Sequence, residues 1–191
     1  MKSMLATMML VFAVSLGAAA DEAAAKPAEK AVPTVGKSLD RQLSIIEGDL
    51  TPLLAAMPEG KLDFVPQGPG FKGVRSFKQQ VGHLAGALHV FAGIVLGEAT
   101  APPPEDESNG PARLKTKDDL TTYLKEAFAH AHKACLSVTE HNMLEPVSLA
   151  GGNFKSTKLG FANLLTWHSF DHYGQLVVYL RLNGIVPPSS R

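Results

Sequence analysis

The chain has 191 residues, 45% of them hydrophobic and 19% charged, and its 18 basic residues balance its 18 acidic residues. A chain of this size can bury a core large enough to fold as one globular domain without disulfides or a structural metal. The balanced charge gives no broad basic field for a phosphate backbone, so we expect no nucleic-acid partner.

The N-terminus has the layout of a secretory signal peptide. Lys2 precedes an apolar run over residues 4–16, and the small residues that follow place Ala18 and Ala20 in the cleavage positions. The apolar run is shorter than the roughly 20 residues needed to span a membrane. We therefore predict a signal peptide over residues 1–20, a secreted or periplasmic location and no stable membrane span after cleavage. An uncleaved membrane anchor is the alternative.

The next segment, residues 21–37, consists mainly of Ala, Lys, Glu and Pro and is predicted to be a flexible linker. A folded domain is predicted to follow over residues 38–191. Its single cysteine, Cys135, excludes an intramolecular disulfide even in an oxidising compartment, and its apolar neighbours favour a buried, inert thiol.

Four segments of this domain carry apolar residues at alternating steps of four and three, the spacing of an amphipathic helix. The apolar stripes cover residues 39–57, 77–95, 120–138 and 165–182. Capping residues precede the last three helices at Ser76, Thr116 and Ser156, and Asn183-Gly184 is a typical C-terminal stop. Loops are predicted over residues 58–75, 97–115 and 142–155. The pattern predicts an all-α fold, a four-helix bundle.

In the fourth helix, two imidazoles occupy positions where the stripe calls for apolar side chains. His168 and His172 are four residues apart, the spacing at which zinc proteases direct two imidazole nitrogens at one metal. The same spacing also fits two core histidines that are satisfied by hydrogen bonds. A third donor would favour a metal, and His83, on the flank of the second helix's stripe, could meet the pair across a helix interface.

Three neutral imidazoles without a cysteine are typical of a catalytic rather than a structural zinc site. Nickel, iron or manganese would also fit this donor set. Ser169 stands where a protease of the HExxH type needs its glutamate, which argues against peptide hydrolysis by that mechanism. Gln175 is expected to orient a ligand or a bound water, and Asp171 to be a solvated charge or to reach another helix. The remaining histidines are expected at the surface or rim, at His89, His130, His132 and His141.

The segment HSFDHYGQLVVYLRLNGIVPP, residues 168–188, resembles the C-terminal helix of the DinB family. Residues 58–66 and 80–84 are similar to that family's first loop and second helix, and the resemblance extends over about residues 38–190. It implies a four-helix bundle with one long crossover and a divalent metal held by three histidines, which correspond to His83, His168 and His172. The superfamily includes thiol-dependent transferases and many proteins of unknown activity, so the resemblance names no substrate.

These observations lead to the hypothesis of an exported DinB-like metalloenzyme, a transferase or hydrolase acting on a small molecule. Zinc is the first choice of ion, with nickel, iron and manganese as alternatives. The predicted export argues against a cytoplasmic low-molecular-weight thiol as cosubstrate. The second hypothesis is a non-catalytic metal-binding bundle whose ion holds two helices together. Both hypotheses are compatible with a homodimer.

Overall fold

The computed structural model describes residues 32–98, 108–150, 152 and 154–191. The predicted signal peptide over residues 1–20 lies outside these residues, as does most of the predicted linker over residues 21–37. The end of that linker differs from the prediction, because residues 35–37 form the first turn of a helix. Thr34 begins this helix by accepting a hydrogen bond from the backbone N–H of Lys37.

The described residues form an all-α bundle, as the sequence predicted, to which a short two-stranded ribbon is added. Its four long helices are α1 (Val35–Ala56), α2 (Phe77–Leu96), α3 (Lys117–Ser137) and α4 (Lys158–Leu182). Single turns of 3₁₀ helix cover Glu59–Lys61, Pro69–Phe71 and Pro188–Ser190. The ribbon pairs β1 (Pro146–Ser148) antiparallel with β2 (Lys155–Thr157).

The four helices pack in a square, and helices that follow each other in the sequence are not always adjacent in it. Each of α1 and α2 packs extensively against both α3 and α4, whereas α3 and α4 make few contacts with each other and α1 lies diagonally from α2. The connections over residues 57–76 and 138–157 both cross to a diagonal helix. The prediction of one long crossover is therefore wrong in number, because two connections cross the bundle. This arrangement makes α2 and α4 direct neighbours.

Local sequence signals explain most of the helix boundaries. Capping boxes at Ser76 and Thr116 start α2 and α3 where they were predicted. The fourth helix begins instead after Thr157, because residues 155–157 pair in the ribbon that replaces part of the predicted loop over 142–155. Leu182, the last residue of the predicted apolar stripe over 165–182, is 52% exposed, since it lies about 80° around the helix from His172.

The core lies between the four helices and consists of aliphatic and aromatic side chains from all of them. The largest fully buried members include Leu43, Ile46, Leu84, Phe128 and Phe161. Cys135 is also fully buried, and burial raises the pKa of its thiol to about 12, which agrees with the inert thiol that was expected. Among the described helices, α2 is the one that is long and apolar enough to cross a membrane, a property shared by core helices of soluble bundles.

Candidate metal centre

Three histidines from two packed helices converge at one point of the bundle. His83 lies in the second turn of α2, and His168 and His172 lie in the middle of α4. The ring centroids of His168 and His172 are 4.5 Å apart, and that of His83 is 5.7 Å from the former and 5.0 Å from the latter. One ring nitrogen of each lies within 4.8 Å of the others. The structure thus brings together all three residues that were predicted as metal ligands.

Two of the rings are held by hydrogen bonds through Nδ1. His172 Nδ1 donates to the amide oxygen of Gln80 over 2.9 Å, and His83 Nδ1 donates to the backbone carbonyl of Ser108 over 2.6 Å. Because a neutral imidazole carries one proton, these bonds place it on Nδ1 and leave the lone pair of Nε2 available. Proteins orient metal-binding histidines by such a hydrogen bond from the ring nitrogen that does not bind the metal.

The third ring, that of His168, carries a buried nitrogen without a hydrogen-bond partner. No described residue bonds to Nε2 of His168, although this atom is shielded from solvent. Burying an unpaired polar atom costs free energy, so native structures rarely leave one. An ion held between the three rings would satisfy this nitrogen, and the donor set of three imidazoles suits Zn²⁺, Ni²⁺, Fe²⁺ or Mn²⁺.

Burial keeps the cluster uncharged. It lowers the pKa of all three rings, and for His172, which is only 4% exposed, the pKa falls to about 4. The neighbouring imidazoles His168 and His83 add to this effect at His172, since two adjacent positive charges would repel each other. Neutral imidazoles at physiological pH are the form that binds a metal.

A chain of side-chain amides supports His172 from the rim of the site. Gln80 is 3% exposed and donates through Nε2 to the amide oxygen of Gln175 over 2.6 Å. Gln175 in turn donates to the carboxylate of Asp171 over 3.4 Å, and both of these residues are exposed. Gln175 is therefore linked to His172 through Gln80, and its expected role in orienting a ligand or a bound water stays a prediction.

The loop that holds His83 approaches α2 very closely. A Cβ atom at Gly82 would lie 2.6 Å from the carbonyl oxygen of Asn109, which is closer than such atoms can come. The absence of a side chain at Gly82 therefore allows Ser108 to reach His83. Sequence reasoning missed both Ser108, whose backbone contact has no sequence signal, and Gln80, which could have been noticed as a polar residue beside apolar ones.

The other histidines lie away from this cluster. His89 and His130 are half-buried and approach each other to 3.3 Å between α2 and α3, and His130 also bonds to Glu98. His132 is half-buried between α1 and α3, and His141 is exposed. The expectation of surface or rim positions is met. Within the described parts of the chain, His83, His168 and His172 are the one group of three or more candidate ligands that meet.

Structural comparisons give bundles of the same kind. A DinB-like protein from Bacillus cereus shares 15% sequence identity over 78% of this chain and 93% of its own, with a TM-score of 0.60. A DinB-like protein from Bacillus subtilis shares 16% over 77% of this chain and 92% of its own, with a TM-score of 0.56. YfiT from Bacillus subtilis is described as a probable metal-dependent hydrolase with an unusual four-helix bundle topology. It shares 18% sequence identity over 84% of this chain and 94% of its own, with a TM-score of 0.60.

These identities are low enough that the structural likeness shows the fold alone. No curated protein sequence matches the chain. The sequence model of the DinB superfamily, however, matches residues 42–176, which is most of the chain and includes all three clustered histidines. The chain therefore belongs to the DinB superfamily.

Proposed function

We propose that His83, His168 and His172 hold one divalent metal ion and that the chain is a metal-dependent hydrolase acting on a small molecule. The observation that carries this proposal is the buried, unpartnered Nε2 of His168, which lies beside two imidazoles whose Nδ1 atoms are already donors. The reaction class is supported by YfiT, the similar structure that is described as a probable metal-dependent hydrolase.

The donor set favours catalysis over scaffolding. Three imidazoles leave a coordination position for substrate, whereas structural zinc sites use four protein donors. No fourth described residue joins the group, and both His83 and His168 are partly exposed. When bound, the ion would supply Lewis acidity that activates a nucleophile or polarises a substrate. We propose zinc, with nickel, iron and manganese as alternatives.

The surrounding residues position the imidazoles. Gln80 and the carbonyl of Ser108 fix the tautomers of His172 and His83. The ring of Phe91, whose centroid lies 5.6 Å from that of His168, packs edge-on against it and restricts its rotation. Among the described residues no carboxylate bonds to the three rings, which distinguishes this cluster from HExxH proteases, where a glutamate next to the ligands acts as base.

Metal content of the purified full chain tests the site. Mass spectrometry of an untagged sample should find about one zinc or similar ion per chain. His172→Ala should lose most of it while its helical circular dichroism stays near that of the wild type, because the apolar core is separate from the cluster. The control is His141→Ala, which removes an exposed histidine. Equal metal content in the two variants would refute the site.

Activity distinguishes the enzyme from the scaffold. The metal-loaded chain should hydrolyse members of a panel of small esters, amides and phosphate esters, and His172→Ala should not. Transfer to an added thiol without hydrolysis would indicate a transferase instead. A chain that binds the ion, gains thermal stability from it and turns over no panel member would favour the non-catalytic metal-binding bundle.

Export is part of the proposal and is supported by the pattern of residues 1–20. Expression of the full gene with its native N-terminus, followed by fractionation and N-terminal sequencing, tests it. A mature chain beginning at Asp21 in the periplasm or medium is expected. Recovery of chains that retain Met1 in the cytoplasm would contradict the proposed location.

A further inference from the structure

Arg75, which precedes the capping residue of α2, is anchored at two points beside the three-histidine cluster. Its Nε donates to the side-chain oxygen of Asn109 over 2.8 Å, and its backbone carbonyl accepts from the hydroxyl of Tyr179 over 2.7 Å. Asn109 follows Ser108, which holds His83, and Tyr179 lies two helical turns after His172 on the same face of α4. Both anchors therefore place Arg75 next to the candidate metal centre.

The guanidinium of Arg75 has unused binding capacity. Only Nε is engaged, since neither terminal nitrogen bonds to any residue that the structure describes and no described carboxylate pairs with it. Its charge is felt at the cluster, where burial is the main cause of the lowered pKa of each ring and the positive charge of Arg75 adds to it. A guanidinium with two terminal nitrogens available fits a carboxylate or phosphate in a bidentate manner.

An apolar cavity of about 150 Å³ is linked to Arg75 through Tyr179, which lines it and whose hydroxyl bonds to the Arg75 carbonyl. We call it the α4 groove, and its lining is Phe71, Val74, Gln175, Val178 and Tyr179. Val74 is the neighbour of Arg75 in the chain, and Gln175 is linked through Gln80 to His172. The volume equals that of about five water molecules in the liquid, which suits a chain of about five or six carbon atoms.

We propose that Arg75 binds an anionic group of the substrate beside the three-histidine cluster while the α4 groove takes a short apolar portion of the same molecule. The substrate class is then a small amphipathic anion, a carboxylate or a phosphate ester with an aliphatic or aromatic tail. This inference rests on the proposed function for the position of the chemistry, but the binding of the anion depends on Arg75 and the groove alone.

Calorimetric titration of the full chain with hexanoate, acetate and 1-hexanol tests the proposal, in metal-free and in zinc-loaded protein. Hexanoate should bind about tenfold more tightly than either of the others, because it alone offers both the anion and the tail. Arg75→Gln should weaken the binding of hexanoate about tenfold and leave the binding of 1-hexanol unchanged. Arg41→Gln removes an equal charge from an exposed position on α1 and should change neither.

Two further variants separate the two halves of the site. Arg75→Lys keeps the charge but loses the planar fork, so its affinity for hexanoate should lie between those of the wild type and Arg75→Gln. Val178→Ser should reduce the preference for hexanoate over acetate, because it places a hydroxyl in the groove. Circular dichroism melting of each variant confirms that it is folded before titration.

The proposal is overturned if hexanoate fails to bind the wild type, if 1-hexanol binds as tightly, or if folded Arg75→Gln and Arg41→Gln bind hexanoate equally. The zinc content of the same samples is measured separately. Failure of the proposed metal site therefore appears as missing zinc, and failure of the anion site as binding that does not depend on Arg75.

Discussion

Replacing Gln80 with alanine removes the acceptor that holds His172 in one tautomer. The Gln80 side chain is 3% exposed and forms two short hydrogen bonds, of 2.9 Å to His172 Nδ1 and 2.6 Å to the oxygen of Gln175. Its loss leaves the N–H of a buried imidazole unpaired, at a cost of about 1–3 kcal/mol. For a chain of this size that corresponds to a fall in Tm of about 2–12 °C.

The same substitution should weaken zinc binding by about 10–100-fold, the usual effect of removing the residue that accepts a hydrogen bond from a metal-binding histidine. Competition with a chromophoric chelator measures the affinity, and calorimetry of the metal-free chain measures Tm. Gln80→Glu keeps an acceptor for His172 and should recover most of the zinc affinity. The control is Gln67→Ala, which removes an exposed glutamine whose amide bonds to its own loop.

Two outcomes would refute this reasoning. Unchanged zinc affinity in Gln80→Ala would show that the hydrogen bond to His172 Nδ1 does not orient a ligand. A fall in zinc affinity that Gln80→Glu does not recover, with Tm unchanged, would show that Gln80 acts through its bond to Gln175 rather than through the imidazole.

Two further predictions concern His132, between α1 and α3, and Gly82, where a loop packs on α2. Burial lowers the pKa of His132, but its hydrogen bonds to Glu47 and Asp40 outweigh burial and raise the pKa above 6.5. The stability that protonated His132 contributes is then present below pH 6.5 and is lost as the pH rises through the raised pKa. In urea denaturation, His132→Gln should therefore lower the free energy of unfolding more at pH 6 than at pH 9. An equal loss at both pH values would contradict this. Gly82→Ala should weaken zinc binding, measured by chelator competition, because its Cβ would meet the oxygen of Asn109 at 2.6 Å and displace the loop that holds His83.

The parts of the fold that were predictable from the sequence are those determined by neighbouring residues. The caps at Ser76 and Thr116 lie a few residues from the bonds they make, so local chemistry fixes the start of α2 and α3. The start of α1 was missed because Val35 lies in a segment that is rich in Ala and Pro and shows no helical periodicity. Packing fixes the helix there instead. At Gly36 a Cβ atom would lie 2.8 Å from the carbonyl oxygen of Val138, a contact that joins distant parts of the chain.

The ribbon between α3 and α4 was missed for a similar reason. Three-residue strands are too short to show a period of two, and the pairing of Val147 with Ser156 depends on the chain folding back on itself. The displaced cap of α4 follows from it, since the strand continues through Thr157 and its last residue provides the capping oxygen.

For the candidate site, spacing predicted the pair on α4, and the position of His83 on the flank of the second helix's stripe made it the candidate third donor, which the family resemblance also implied. Helical periodicity alone could not establish that His83 meets the pair, because it gives the face of each helix but not which helices are neighbours. The diagonal crossing over residues 57–76 brings α2 beside α4, and this topology has no signature in the apolar stripes. Which histidine meets the pair on α4 therefore depends on how the helices pack in the tertiary structure.

The apolar core is continuous without the three histidines, which bears on what a bound ion would do for this protein. Leu84 follows His83 and Leu165 lies one helical turn before His168, and both are fully buried, so the interface between α2 and α4 includes apolar residues beside the cluster. A structural zinc site usually compensates for a core that is too small, but this bundle has a continuous core drawn from all four helices. Three histidines with lowered pKa values then reduce the stability of the metal-free fold below neutral pH, because each would bind a proton more readily when unfolded. A cost of this kind at a site that the fold does not require is typical of a functional centre.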